Sequence, residues 1–78
     1  MTRKELLKSW TIDALEHLGG SSHWIHVAQH IWDHHEQDLR ESGDLFYRWQ
    51  YDLGWASKVL VDEGRLLKPG RGIWTLRQ

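Results

Sequence analysis

Apolar residues in the first segment recur with a helical period. Leu7, Trp10, Ala14 and Leu18 fall at i, i+3, i+7 and i+11, one stripe on a helix from about Arg3 to Leu18. Gly19-Gly20 closes it, because glycine accepts the left-handed conformation that helix ends favour. Ile12 lies off the stripe. Ser21-Ser22 follows, and either hydroxyl is expected to cap the next helix. That helix runs from about Trp24 to Leu39, with Trp24, Ala28, Ile31, Trp32, His35 and Leu39 on one side at 100° per residue. Glu41-Ser42-Gly43-Asp44 reads as a turn. A third helix spans about Leu45 to Glu63. Trp49, Leu53, Ala56 and Leu60 form its inner stripe, and Tyr47, Tyr51, Gly54 and Lys58 its opposite side. Trp55 and Val59 sit on a flank, and Gly64 stops the helix.

The period then changes. Arg65-Leu66-Leu67-Lys68 is a short strand, Pro69-Gly70-Arg71-Gly72 a tight turn, and Ile73-Trp74-Thr75-Leu76 a second strand with alternating faces. Helix, link, helix, turn, helix and hairpin, in that order, predict a mainly α chain with a small β-hairpin (α+β). It is the order of a winged helix-turn-helix, three helices plus a C-terminal two-stranded wing, in one domain over residues 1–78. In many winged helices the link after the first helix also forms a strand.

A 78-residue chain buries only about 60–65% of its unfolded surface, so its core must pack well. Six tryptophans serve that need. Trp10, Trp24, Trp32, Trp49 and Trp74 are expected in the core. Trp55 has two readings, packed on the hairpin or part of an exposed patch for a protein partner. With no cysteine, disulfides and thiolate metal sites are excluded, and a reducing, cytoplasmic setting is expected. Neither a signal-peptide core nor a membrane-spanning run is visible. There is no P-loop, no cysteine nucleophile and no evident carboxylate pair, so neither enzymatic activity nor a cofactor is expected.

The net charge is −1, unlike that of a plainly basic DNA binder, but it is unevenly spread. Residues 1–44 hold four Lys/Arg against eight Asp/Glu, and residues 45–78 hold six against three. The second half can therefore build a positive face.

That half is also where a likeness lies. Gly54-Trp55-Ala56, Leu60, Gly64 to Leu67, Arg71-Gly72 and Trp74 follow one another as helix, strand entry, basic wing and aromatic strand. The pattern resembles the N-terminal winged-helix domain of Mrr-type restriction-system proteins, and Leu15 to Ser22 fits the first helix and turn of that family. The resemblance implies binding of double-stranded DNA. It implies no cleavage, because the nuclease of that family is a separate C-terminal domain, and none is expected after the wing here.

In a winged helix the third helix enters the major groove and the wing touches the backbone or the adjacent minor groove. The candidate reading face is therefore Tyr47, Arg48, Gln50, Tyr51, Ser57 and Lys58, joined by Lys68 and Arg71 on the wing. The bland alternative is a solvated helix face and hairpin tip. Asp52, Asp62 and Glu63 are expected to be solvated, capping or turned from phosphate. A rival function is a protein-interaction module that touches no nucleic acid, which the acidic first half favours. The oligomeric state is left open, a dimer included.

Histidines are the most unusual feature. His23, His26, His30 and His34 share one sector of the second helix, with two i, i+4 pairs. A polar surface stripe, a metal site and a pH-dependent phosphate contact at His23 and His26 are the three readings, the first favoured, and no metal ligand set is assigned. His35 is expected on the apolar side as a core histidine.

Overall fold

In the computed structural model, which describes residues 5–77, the chain runs α1 (Leu6–His17), β1 (Ser21–His23), α2 (Trp24–Arg40), α3 (Asp44–Asp62), β2 (Leu66–Gly70) and β3 (Ile73–Leu76). Arg3 and Lys4, in the expected first helix, lie outside the described residues. The strands form one antiparallel sheet in the order β1-β3-β2. This is the winged-helix order, with the link after α1 contributing a third strand beside the two of the hairpin.

Helices α1 and α3 end in the same way. After α1, Gly20 N–H donates to the Leu15 carbonyl (2.7 Å) and Gly19 N–H to that of Glu16 (3.3 Å). After α3, Arg65 N–H donates to Leu60 (2.9 Å) and Gly64 N–H to Val61 (3.0 Å). Both are the paired closure that needs a left-handed residue just past the cap, here Gly19 (φ 88°) and Gly64 (φ 76°). Each closure aims the chain straight into a strand, so the sheet is set by the helix ends.

The core draws on every layer. Leu7, Ala14 and Leu15 of α1 meet Val27, Ala28 and Ile31 of α2 and Leu53, Ala56 and Leu60 of α3, with Leu66 and Trp74 closing from the sheet. The inner stripe of α3 is as expected. That of α1 is rotated: Thr11 and Leu15 are buried, and Leu18 is an exposed cap residue. Thr11 is tolerated inside because its hydroxyl donates to the Leu7 carbonyl, 2.6 Å away. Ile12, unplaced by the sequence pattern, packs half-buried against the core.

Three further expectations are corrected. The cap of α2 is neither Ser21 nor Ser22 but His23, whose Nδ1 accepts from Ile25 N–H at 3.2 Å. The serines are taken up by β1, paired with Thr75 and Trp74. Trp24 has the right rotation for the core, but it is the first residue of α2 and overhangs the packed region, 37% exposed. The hairpin turn is shorter than four residues, because Pro69 and Gly70 remain in β2 and only Arg71-Gly72 turns. Proline is accepted there because β2 is an edge strand, and the ladder is irregular between Leu67 and Gly70. His35 behaves as expected, half-buried and stacked on Trp10 at 4.0 Å, and α2 departs from helical geometry at that residue.

Candidate nucleic-acid interface

The outward row of α3 is Tyr47, Tyr51, Gly54 and Lys58, at i, i+4, i+7 and i+11. Tyr47 and Tyr51 are 84% and 75% exposed, well beyond what packing asks of an aromatic ring. Gln50 and Lys58 are exposed beside them. Arg48 leans over the Tyr51 ring, 5.7 Å from guanidinium carbon to centroid, and its Nη2 lies 3.8 Å from Asp52 Oδ1. These five candidates share one surface. Ser57 does not belong to it. It is fully buried, and its hydroxyl donates to the Gly54 carbonyl at 2.7 Å. It is adjacent to Lys58 in sequence, but one residue is 100° of helix, enough to turn it inward.

Asp52 takes the last of its three expected readings, turned from the outer side: it is 6% exposed, on the inner edge of α3. Asp62 and Glu63 are exposed, and Glu63 Oε2 is engaged by Lys8 Nζ at 2.7 Å. Asp62 stands one turn beyond Lys58.

Lys68 and Arg71 stand on the hairpin, both exposed. The Lys68 ammonium lies 5.6 Å from the centroid of the Trp74 ring, and Arg71 forms the tip. The hairpin is tied to the start of α2: Trp24 N–H donates to the Gly72 carbonyl at 2.8 Å, and His23 pairs with Ile73. The sequence pattern placed His23 on a helix and missed this link. Beside it, Trp24, Ile25 and Gln29 of α2 face Phe46, Trp49 and Gln50 of α3 across an open groove floored by Trp32. Trp32 lies 6.1 Å from Trp49 and 6.4 Å from Phe46 between ring centroids, and Arg40 covers it at 5.2 Å. Trp55 is half-buried and packs against the core.

The histidines regroup. His23 leaves the helical stripe for β1, and His26 is exposed. His17 of α1, which the stripe did not include, joins His30 and His34. His30 and His34 stack at 4.0 Å, and His17 lies 5.1 Å and 6.2 Å from them. His34 Nδ1–H donates to the His30 carbonyl at 2.9 Å. Neither ring nitrogen of His30 has a partner or reaches solvent. Loss of solvent, then the like charge of His34, His17 and His35, pushes its pKa down from the ordinary imidazole value, against a smaller opposing effect of Asp33. Asp13 and Glu16 complete the walls, and no residue of α3 lines the depression. Among the described residues no group of three His, Cys, Asp or Glu is arranged to hold a metal ion. None of their helices is long and apolar enough to cross a membrane.

No family model, no curated protein and no solved structure matches this chain.

Proposed function

We infer that this chain is a winged-helix module that binds double-stranded DNA, with α3 as the reading helix and the β2–β3 hairpin as the wing. The observation that carries this reading is the charge along the outer side of α3. Between Leu45 and Val61 the helix has one acidic residue, Asp52, and it is buried, while Arg48 and Lys58 are outside. Between the exposed carboxylates at its two ends, Asp44 and Asp62, a phosphate backbone approaching that side meets cations, amide and phenol groups and no exposed carboxylate. Lys68 and Arg71 extend the same chemistry onto the wing. The likeness of Gly54-Trp55-Ala56 and the following hairpin to Mrr-type N-terminal domains supports the same reading, in a reducing, cytoplasmic setting and without catalysis.

Titrating the protein into a labelled mixed-sequence duplex at rising salt tests it. Binding should weaken steeply with salt, because each phosphate contact releases a counterion. Absence of binding at low salt would overturn the reading.

One observation favours a second reading, a module that docks a protein. Trp24 and Ile25 are exposed at the rim of an aromatic groove, an arrangement not required by contact with DNA. A stable protein complex that is lost on Tyr51 or Trp24 substitution, with no duplex binding, would favour it.

A further inference from the structure

Gly54 lies in the middle of a 19-residue helix, facing outward. Glycine weakens a helix interior relative to alanine, because it has more backbone freedom to lose. Three things can offset that cost: a left-handed turn, a close neighbour, or something outside the fold. The first does not apply, since Gly54 is not among the positive-φ glycines. Nor does the second, since a β-carbon built there meets nothing within 4 Å beyond the adjoining residues and backbone of its own helix. Its carbonyl accepts the Ser57 hydroxyl, a bond that alanine would make equally well. The fold gains nothing from glycine here.

We propose that Gly54 is the point of closest approach between α3 and a DNA duplex, and that the missing side chain lets the helix backbone sit deeper in the major groove. The proposal rests on the DNA reading above. The flanking residues support it. Tyr47 and Tyr51 stand out before Gly54, and Lys58 follows one turn later. Side chains on a helix lean toward its N-terminus, so the stem of Lys58 leans back over the turn of Gly54. What enters the gap meets an ammonium group on one side and two phenols on the other, groups suited to phosphate and base edges. The major groove is about 12 Å wide and a helix with its side chains about 10–12 Å across, so one side chain at the deepest point decides how far the helix descends.

The full chain carrying Gly54→Ala or Gly54→Leu is compared with the unmodified protein by thermal unfolding and by duplex binding at low salt. Gly54→Ala is expected to raise the melting temperature by about 3–8 °C, as relief of a helix-interior glycine does in a domain of this size. It is expected at the same time to weaken duplex binding about fivefold or more, with Gly54→Leu weaker still, since the larger side chain holds the helix further from the groove floor. Gly54→Ala that binds as tightly as the unmodified protein would remove the role of Gly54 and leave the DNA reading standing. Gly54→Ala that loses stability would overturn the premise that the fold has no use for the glycine. If the unmodified protein binds no duplex, the reading and this proposal fall together.

Discussion

A β-carbon placed on Gly72 would lie 2.6 Å from Nε2 of His23. The same imidazole caps α2 through its other nitrogen, so the turn of the hairpin and the start of the helix share one side chain. Gly72 also has φ 74°, which side-chain-bearing residues rarely adopt. Gly72→Ala is expected to cost about 1–3 kcal/mol in urea unfolding, from backbone strain and the displaced ring together. His23→Ala alone should cost about 1 kcal/mol for the lost cap. The double variant should cost less than the two combined, because removing the ring frees the space for the methyl group. Strict additivity would show that the ring does not constrain the turn.

His30 makes stability depend on acid. Folded, its half-buried imidazole, both nitrogens shielded from solvent, binds a proton less readily than in the unfolded chain, whose histidines titrate near 6.5. The unfolded state therefore takes up more protons as pH falls, and its population grows. The contribution is fully present above pH 6.5 and is lost below it. The charges facing His30 are Asp13, Glu16 and His17 from α1, and Asp33, His34 and His35 from its own helix. Urea midpoints from pH 8 to pH 5 should fall, and less steeply in His34→Ala, which lacks the nearest like charge. An unchanged slope in that variant would remove the electrostatic link between the stacked rings.

Ser57 and Lys58 are neighbours in sequence with opposite surroundings, and they separate structure from binding. Lys58→Ala is expected to weaken duplex binding several-fold and to lower the salt slope by about 1, with stability within about 0.5 kcal/mol. Arg71→Ala should act in the same direction. Ser57→Ala should leave binding unchanged. It removes only a hydroxyl paired with the Gly54 carbonyl, at a cost of about 1 kcal/mol in stability. Loss of binding in Ser57→Ala at unchanged stability would reverse the assignment.

Tryptophans of the same helical groove should differ sharply. Trp49 is buried in the core beside Trp32 of α2, and Trp49→Ala should cost about 3–5 kcal/mol. Trp24 overhangs the groove, and Trp24→Ala should cost well under half of that. Equal losses in chemical denaturation would mean that Trp24 carries core packing after all.

These pairs also mark what the chain discloses before it folds. The inner stripe of α3 was legible because Trp49, Leu53, Ala56 and Leu60 repeat without interruption over three turns. The outer row of Tyr47, Tyr51, Gly54 and Lys58 followed from the same angle. Ser57 was misplaced because a small hydroxyl residue suits either side of a helix, and its hydrogen bond to Gly54 is invisible to periodicity. Periodicity does not choose among the readings of Asp52, because a carboxylate beside Arg48 can sit at the inner edge of a helix without breaking the apolar stripe. His17 was missed because it belongs to a different helix from His30 and His34, and only tertiary packing brings them together. Periodicity groups His23 with His26, His30 and His34, whereas pairing with Ile73 holds it in a strand.

The sheet bears on how copies of this chain meet. Its outer strands are β1, three residues long, and β2, which carries Lys68 and Pro69 and loses regular pairing midway. A neighbouring backbone seeking to extend the ladder finds too few groups on one side and a missing donor with a repelling charge on the other. Growth by strand addition, the usual route from small β-sheets to fibres, is blocked at both margins. Self-association at high concentration would have to proceed through side chains, and so would respond to surface substitutions.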